Sequence, residues 1–225
     1  MQAIGVSKYG PPSNFETRLV PLPGQPTGRD ILVQVKAISV NPIDTKIRAG
    51  TYDDAPDYYD HVPRPFHIIA PEAAGVVISI GPDVQYFQPG AQVFYVGAPT
   101  RQGASAEYQF VDERTVGHKP KTLDFVEAAV MPLTYGTAWE MAERLDISVG
   151  EQAGILIING AGGVGSVATQ LARYVLRLPV VVATASRHNT NAWVTKNGAT
   201  HVIDHRRDLK AQIAELSLDI PIKQV

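Results

Sequence analysis

The sequence predicts an α/β protein in two parts: an irregular β-barrel or sandwich over residues 1–124, then parallel βαβ units over 125–225. Three observations predict this. Short β-rich runs separated by Pro and Gly fill the first part. Near residue 125 the pattern changes to strands alternating with helices. A glycine-rich turn at 160–165 joins an apolar run to a helical period.

In the first part, residues 31–40 (ILVQVKAISV), 75–80 (GVVISI), 92–96 and 106–111 read as strands. Pro11-Pro12, the 21–28 stretch, Gly81-Pro82 and Pro89-Gly90 divide them. A short helix is expected at 42–48, with Pro42 at its first position and Asn41 as its cap.

In the second part, 125–145 is helix-rich with a break at Pro132. Residues 154–159 (GILIIN) form a buried strand. A helix at 163–178 carries Val164, Val167, Leu171, Val175 and Leu178 at 3-4 spacing. Arg173 and Arg177 lie in its last turns, where the dipole favours cations, and Pro179 stops it. Residues 180–185 form a second buried strand. A short helix capped by Asn189 or Asn191 ends at Gly198; 201–203 is a third strand and 209–216 a last helix. The tail 219–225 (DIPIKQV) has a Pro and no helical period.

Composition narrows the class. The 225 residues are 44% hydrophobic and 19% charged, with net charge −2, so nothing points to nucleic acid or an anionic membrane. Cysteine is absent, which removes disulfides, thiolate metal sites and a cysteine nucleophile. The N-terminus lacks the pattern of a secretory signal, and no apolar run is long enough to span a bilayer. A cytoplasmic protein with no nucleic-acid or membrane partner is expected.

Gly160-Ala161-Gly162-Gly163-Val164-Gly165 matches G-x-G-x-x-G between a strand and a helix, the context a dinucleotide site requires. Gly160 is expected to allow the tight turn. Gly162 would admit a pyrophosphate, and Gly165 would let the helix pack on the sheet. The unpaired N–H groups at the helix start would hold the phosphates. Sites for NAD place an acid at the end of the second strand, on the ribose 2′-hydroxyl. Here no acid lies between Gly165 and Asp204, and the strand end reads Thr184-Ala185-Ser186-Arg187. A hydroxyl and a guanidinium suit a 2′-phosphate, so NADPH is the expected cofactor. His205 adds a contact, or belongs with Arg206 and Arg207 to an exposed turn.

Read together, 35–44 (VKAISVNPID), 74–81 (AGVVISIG), 87–90 (FQPG), 106–108 (AEY), 132–139 (PLTYGTAW) and 160–166 (GAGGVGS) resemble the medium-chain dehydrogenase/reductase superfamily. The nearest likeness is to its zinc-free quinone oxidoreductase branch, often labelled zinc-type alcohol dehydrogenase-like. The similarity extends to about residue 215. It implies a GroES-like catalytic domain, a Rossmann cofactor domain, and NADPH-dependent hydride transfer to a quinone or an α,β-unsaturated carbonyl. It also implies a homo-oligomer through the Rossmann domain. Thr137 matches a residue on the nicotinamide side, although a helix threonine also bonds its own backbone.

Metal-using relatives hold a catalytic zinc through Cys, His and Cys. The matching positions here are Asn41, Pro71 and Leu133, none of them a zinc ligand in such sites, so no metal is expected. Glu72 alone is not a site. Without a Lewis acid, an already electron-poor acceptor is favoured, and catalysis rests on orientation. Asn41 is the candidate for a polar contact near the reacting centre, alongside its capping role. Tyr52 could line the pocket or donate a proton. Asp44 orients the loop. The zinc-free branch has Gly, an aromatic residue and Asp where this chain reads Ala70-Pro71-Glu72, and its Pro-Gly-Asp turn is Pro89-Gly90-Ala91 here.

The family is considerably longer. The sequence alone suggests that only the adenosine half of the cofactor domain is present, with GILIIN exposed along one edge. Such a chain is expected to be poorly stable or to self-associate. The alternatives to a working reductase are a non-catalytic form that binds nucleotide weakly, and a zinc alcohol dehydrogenase, against which the missing ligands count.

Overall fold

The computed structural model describes residues 1–51, 64–98 and 100–225. The chain divides into two compact units, 1–133 and 134–225. The sequence pattern puts the boundary at 124/125, and packing moves it later. Helix α2 (Phe125–Ala129) buries Ala128 and Ala129 against Ala74, beside Ala37 and Phe94, so it belongs to the first unit. A periodicity change marks a new kind of element, not the side on which that element buries its apolar face.

The first unit holds two antiparallel sheets. Its larger sheet takes β3 (Asp30–Ile38), β5 (Glu72–Ile80), β6 (Gln92–Val96), β7 (Tyr108–Asp112) and β8 (Val116–His118) in the order β7-β3-β5-β6-β8. Ile31, Val33, Ala73, Val77, Val93 and Val111 alternate inward along these strands and pack around Phe87 and Tyr95. The smaller sheet, in the order β2-β1-β4, takes β1 (Gln2–Val6), β2 (Phe15–Leu19) and β4 (His67–Ile68). The sequence reading missed these three strands and β8. In β2 the burial pattern is almost wholly exposed, so there is no apolar alternation to detect. Helix α1 (Pro42–Ala49) ends at Gly50, whose φ of 77° is the left-handed cap that glycine adopts without a Cβ penalty. The Pro89-Gly90-Ala91 turn lacks the family's acid and is closed by backbone bonds instead, Gly90 N–H to Val77 and Ala91 N–H to Gln88.

The second unit is a parallel sheet in the order β11-β10-β9-β12, from β9 (Gly154–Ile157), β10 (Val180–Thr184), β11 (His201–Ile203) and β12 (Ile222–Gln224). Its two faces are read directly from the strands. Ile155, Ile157 and Val181 pack with Ala138, Ala168, Leu171 and Ala172, from helices α3 (Pro132–Arg144) and α4 (Gly163–Gln170) and the turn that follows α4. Leu156, Val180 and Val182 point the other way, onto Leu209, Ile213 and Ile222. All five residues of β10 are buried, as a strand covered on both faces requires. Each fully buried valine there contributes about 1.5–3 kcal/mol.

β12 overturns the expectation of an exposed apolar edge. The tail pairs parallel to β9, Ile222 opposite Gly154 and Gln224 opposite Ile155, while Gly154 N–H bonds the Pro221 carbonyl at 2.8 Å. The chain therefore has a fourth parallel strand on the far side of β9. Three isolated residues after a proline carry too little pattern to be read as a strand.

The long helix expected at 163–178 is α4 followed by a π turn over Leu171–Val175. Leu176 N–H bonds Leu171 five residues back, and Arg177, beyond the last turn, sits at φ 58°. Only Arg173 keeps the expected C-terminal role, donating to the Leu178 carbonyl at 3.2 Å. Helix α5 (His188–Lys196) is capped at Arg187, not at Asn189 or Asn191. Thr190 Oγ1 accepts the Arg187 N–H at 3.1 Å, which fixes the start three residues earlier. Helix α6 (Leu209–Glu215) is capped by Asp208, whose carboxylate accepts the Ala211 N–H at 2.7 Å.

Candidate functional site

In the second unit the chain runs β9, β10, β11 in one direction across the sheet, then returns to β12 on the opposite side of β9. The order reverses at the carboxyl end of β9, where the glycine-rich turn lies. Open parallel sheets bind ligands at such a reversal. The structure thus supplies a switch point where the sequence suggested only half a site.

The glycines divide the work differently from expectation. The left-handed residue in the turn is Asn159, φ 56°, not Gly160. Gly160 is needed for close approach instead: a Cβ there would lie 2.8 Å from the Ala183 Cβ. At Gly165 a Cβ would sit 2.2 Å from the Asn159 carbonyl oxygen, so only glycine lets α4 start against the turn. At Gly162 the nearest obstacle is the movable Asn159 side chain. Gly163, Val164 and Gly165 open the helix, and the first N–H groups of a helix have no intrahelical acceptor. Ala161 packs beside the Ala183–Val194 cluster. The Asn159 N–H donates to Thr184 Oγ1 at 2.8 Å, and the Gly160 N–H to the Thr184 carbonyl at 3.1 Å, fixing the turn on β10.

A Cβ on Gly163 would touch Thr134 Cγ2 at 3.2 Å. Thr137, three residues on, shares that face of α3. It is thus Thr134 that meets the glycine turn directly, with Thr137 one turn further along α3.

At the end of β10, Ser186 is half-buried and Arg187 exposed. The nearest acid in sequence, Asp204, is paired with Arg206 at 2.7 Å, and this guanidinium holds its carboxyl down to about 2. Arg206 also donates to the Ser186 carbonyl at 2.9 Å. His205 is exposed in the same turn. Sequence reading passed over Arg206 because an exposed His-Arg-Arg run gives no sign of which side chain folds back.

The first unit holds the other candidates. Asn41 is the residue before α1 and is buried, but its side chain does not cap that helix. Asp44 Oδ2 accepts the Asn41 backbone N–H at 2.7 Å in its place. The Asn41 amide nitrogen donates to Glu72 Oε2 at 2.6 Å and to Ser39 Oγ at 3.3 Å. Both amide hydrogens are thus committed, so any polar contact Asn41 makes near the reacting centre falls to its carbonyl oxygen. Glu72 is wholly buried, and its Oε1 accepts the Leu133 N–H at 2.7 Å. Two of the three positions that match zinc ligands in metal-using relatives therefore meet on one carboxylate, and the third, Pro71, precedes it. No group of three His, Cys, Asp or Glu side chains suited to a metal ion occurs among the described residues. Tyr52 and His61 lie outside the described residues. His67 is buried and contacts the Tyr9 hydroxyl at 3.3 Å; burial, aided by Arg64, lowers it to about 4.

Residues 27–121 match the alcohol dehydrogenase GroES-like domain family. A zinc-type alcohol dehydrogenase-like protein of Staphylococcus aureus is 44% identical over 199 residues, covering 86% of this chain and 56% of that protein. The chain belongs to the medium-chain dehydrogenase/reductase superfamily. Within it, the chloroplastic NADPH-dependent alkenal/one oxidoreductase of Arabidopsis thaliana is 35% identical over 184 residues, 79% of this chain and 45% of that one. The solved Escherichia coli quinone oxidoreductase, complexed with NADPH, superposes with a TM-score of 0.77 at 27% identity, over 96% of this chain and 63% of that one. This member of the superfamily spans about half the length of the curated relatives it matches. Among the described residues no helix is long and apolar enough to cross a membrane.

Proposed function

We propose that this chain is a zinc-independent, NADPH-dependent oxidoreductase that reduces a quinone or an α,β-unsaturated carbonyl. The first unit is its catalytic part and the second binds NADPH. The observation that carries the reading is the cationic corner at the end of β10. There Ser186 and Arg187 follow the strand where an NAD site has a carboxylate, His205 lies in the turn that Arg206 ties to the Ser186 carbonyl, and Asp204 in that turn is held by Arg206. A 2′-phosphate fits that charge and a bare ribose gains nothing from it.

The glycine turn fits the adjoining pyrophosphate. The N–H groups at the start of α4, from Gly163 to Gly165, bind it, while Gly160 and Ala161 seat the turn on β10 and its cluster and Gly162 keeps a side chain out of the way. Thr137, one turn further along α3 from Thr134, orients the nicotinamide end. When bound, NADPH supplies the hydride. Asn41, held by two carboxylates, makes its polar contact near the reacting centre through its one remaining polar group, the carbonyl oxygen, to a hydroxyl or amide N–H of a bound ligand. Tyr52 donates the proton. The positions that hold zinc in metal-using relatives are Asn41, Pro71 and Leu133 here, so the acceptor must already be electron-poor. The two relatives named for NADPH, one of them a reductase of alkenals and enones and the other a quinone oxidoreductase, support both halves of this reading. A homo-oligomer formed through the sheet of the second unit belongs to it, with β12 as the outer strand.

The test is thermal melting with NADPH and with NADH. A ligand at about 100 times its Kd that binds only the folded chain adds about 2.7 kcal/mol. NADPH should raise the melting temperature by several degrees, NADH by much less, and Arg187→Glu should remove the difference. Oxidation of NADPH by a simple quinone then follows the chemistry. Equal shifts with both cofactors would sink the 2′-phosphate assignment, and no shift with either would sink the cofactor site.

A further inference from the structure

Asn41 and Glu72 sit 31 residues apart in sequence and share a short bond in the interior. An Asn amide can be turned either way, and its neighbours decide which. Here the choice is forced. Glu72 accepts from the Leu133 N–H with Oε1 and is otherwise a bare carboxylate, so Asn41 must face Oε2 with its NH₂. Ser39 Oγ takes the second hydrogen. Asn41 Oδ1 accepts no hydrogen bond among the described residues and is the one polar atom of the side chain left over.

We propose that Glu72 is a positioning residue that sets the polarity of Asn41, turning its amide nitrogen inward so that only a carbonyl oxygen is offered to a ligand. The partner it selects is a hydroxyl or amide N–H, and a substrate carbonyl is not polarised by Asn41. The same carboxylate holds the first N–H of α3, because Pro132 ahead of it has none. The bonding part of this proposal is independent of the proposed reaction; only the ligand-facing role of Asn41 rests on that reading.

Glu72→Gln tests it. A glutamine can give its oxygen to the Leu133 N–H and its NH₂ to Asn41. Asn41 then answers by flipping, with Oδ1 inward and NH₂ outward, and Ser39 rotates its hydroxyl to donate. The variant should therefore fold, with reversed polarity at the site. The readout is the Asn41 side-chain ¹⁵N–¹H₂ signal of the labelled protein and its exchange with deuterium. In the wild type these hydrogens should exchange about 100-fold more slowly than those of a free asparagine side chain. In Glu72→Gln they should exchange at least about 10-fold faster than in the wild type. A second variant, Asn41→Asp with Glu72→Gln, restores donor to acceptor without a flip. It should recover most of the melting temperature lost by Asn41→Asp alone, which sets two carboxylates together. Fast exchange in the wild type, unchanged slow exchange in Glu72→Gln, or no recovery in the double variant would each overturn the proposal. Failure of quinone turnover would touch the proposed reaction and leave these three measurements standing.

Discussion

Asp44 Oδ2 accepts the backbone N–H of Asn41 at 2.7 Å, closing the first turn of α1 from inside it, while Asp44 Oδ1 is buried with no partner among the described residues. Burial is the main influence on this acid and raises it above the usual carboxylate range, against the opposing bond from Asn41. The folded chain therefore holds the Asp44 proton more tightly than the unfolded chain does. The stability linked to that proton is fully present below about pH 4 and is lost as pH rises through the raised value. Asp44→Asn keeps an oxygen for the Asn41 N–H and removes the charge. Its melting temperature should fall less than that of the wild type between pH 4 and pH 7, and at pH 7 should match or exceed it. Parallel melting curves for the two proteins at every pH would count against this account.

Gly162 and Gly165 separate folding from binding. A methyl at Gly165 meets the Asn159 carbonyl oxygen at 2.2 Å, a backbone atom that cannot step aside. Gly165→Ala should cost about 2–4 kcal/mol, the range for an overpacked or strained backbone site. At Gly162 the obstacle is the Asn159 side chain, 2.6 Å away but able to rotate. Gly162→Ala should melt within about 1 kcal/mol of the wild type and still lose the NADPH-induced shift. Denaturant unfolding and cofactor titration on both variants check the pair. A Gly162→Ala protein that binds NADPH normally would remove this glycine from the phosphate site.

Much of the second unit was legible, because its signals are local. GILIIN, the glycine turn and the Ser186-Arg187 strand end are read from consecutive residues; the turn follows β9 and Ser186-Arg187 follows β10, neighbouring parallel strands. What the sequence hid are relationships between distant residues. Nothing in Glu72 as a letter shows that Asn41, 31 residues away, and Leu133, 61 residues away, both donate to it. The tight turn is expected at Gly160, yet the left-handed residue in it is Asn159, Asn being among the few other residues that tolerate that region. β12 escaped because three residues carry no measurable period; its identity comes from pairing with β9.

Ala70 is the left-handed residue whose correction should stabilise the protein. Its φ is 71°, and it is buried, with its carbonyl bonded by the Ala104 N–H at 2.6 Å. An L-residue with a Cβ pays about 1–2 kcal/mol in this region, whereas glycine enters it freely at some cost in chain entropy. The family resemblance has Gly at this position. Ala70→Gly should therefore raise stability by up to about 1 kcal/mol, read as an increase in denaturant midpoint with no change in slope. Destabilisation would mean that the lost methyl packing outweighs the relieved strain.

Ile222 is where the tail earns its place in the sheet. It pairs with Gly154, packs with Leu156 and Val180, and would lie 3.3 Å from a Cβ on Gly154. The bond from the Gly154 N–H to the Pro221 carbonyl adds the first rung of the ladder. Ile222→Asp sets a charge among apolar side chains and should release β12, at a cost of about 2–4 kcal/mol. β9 would then present an open apolar edge, and edges of that kind recruit other chains. The expected outcome is a lower melting temperature together with concentration-dependent light scattering. Lys223→Gln, on the exposed side of the same strand, removes only its 3.2 Å pairing with Glu151 and should leave both readings nearly unchanged. If Ile222→Asp scattered no more light than the wild type at equal concentration, β12 would not be what shields β9, and the sheet would have to be protected from association in some other way.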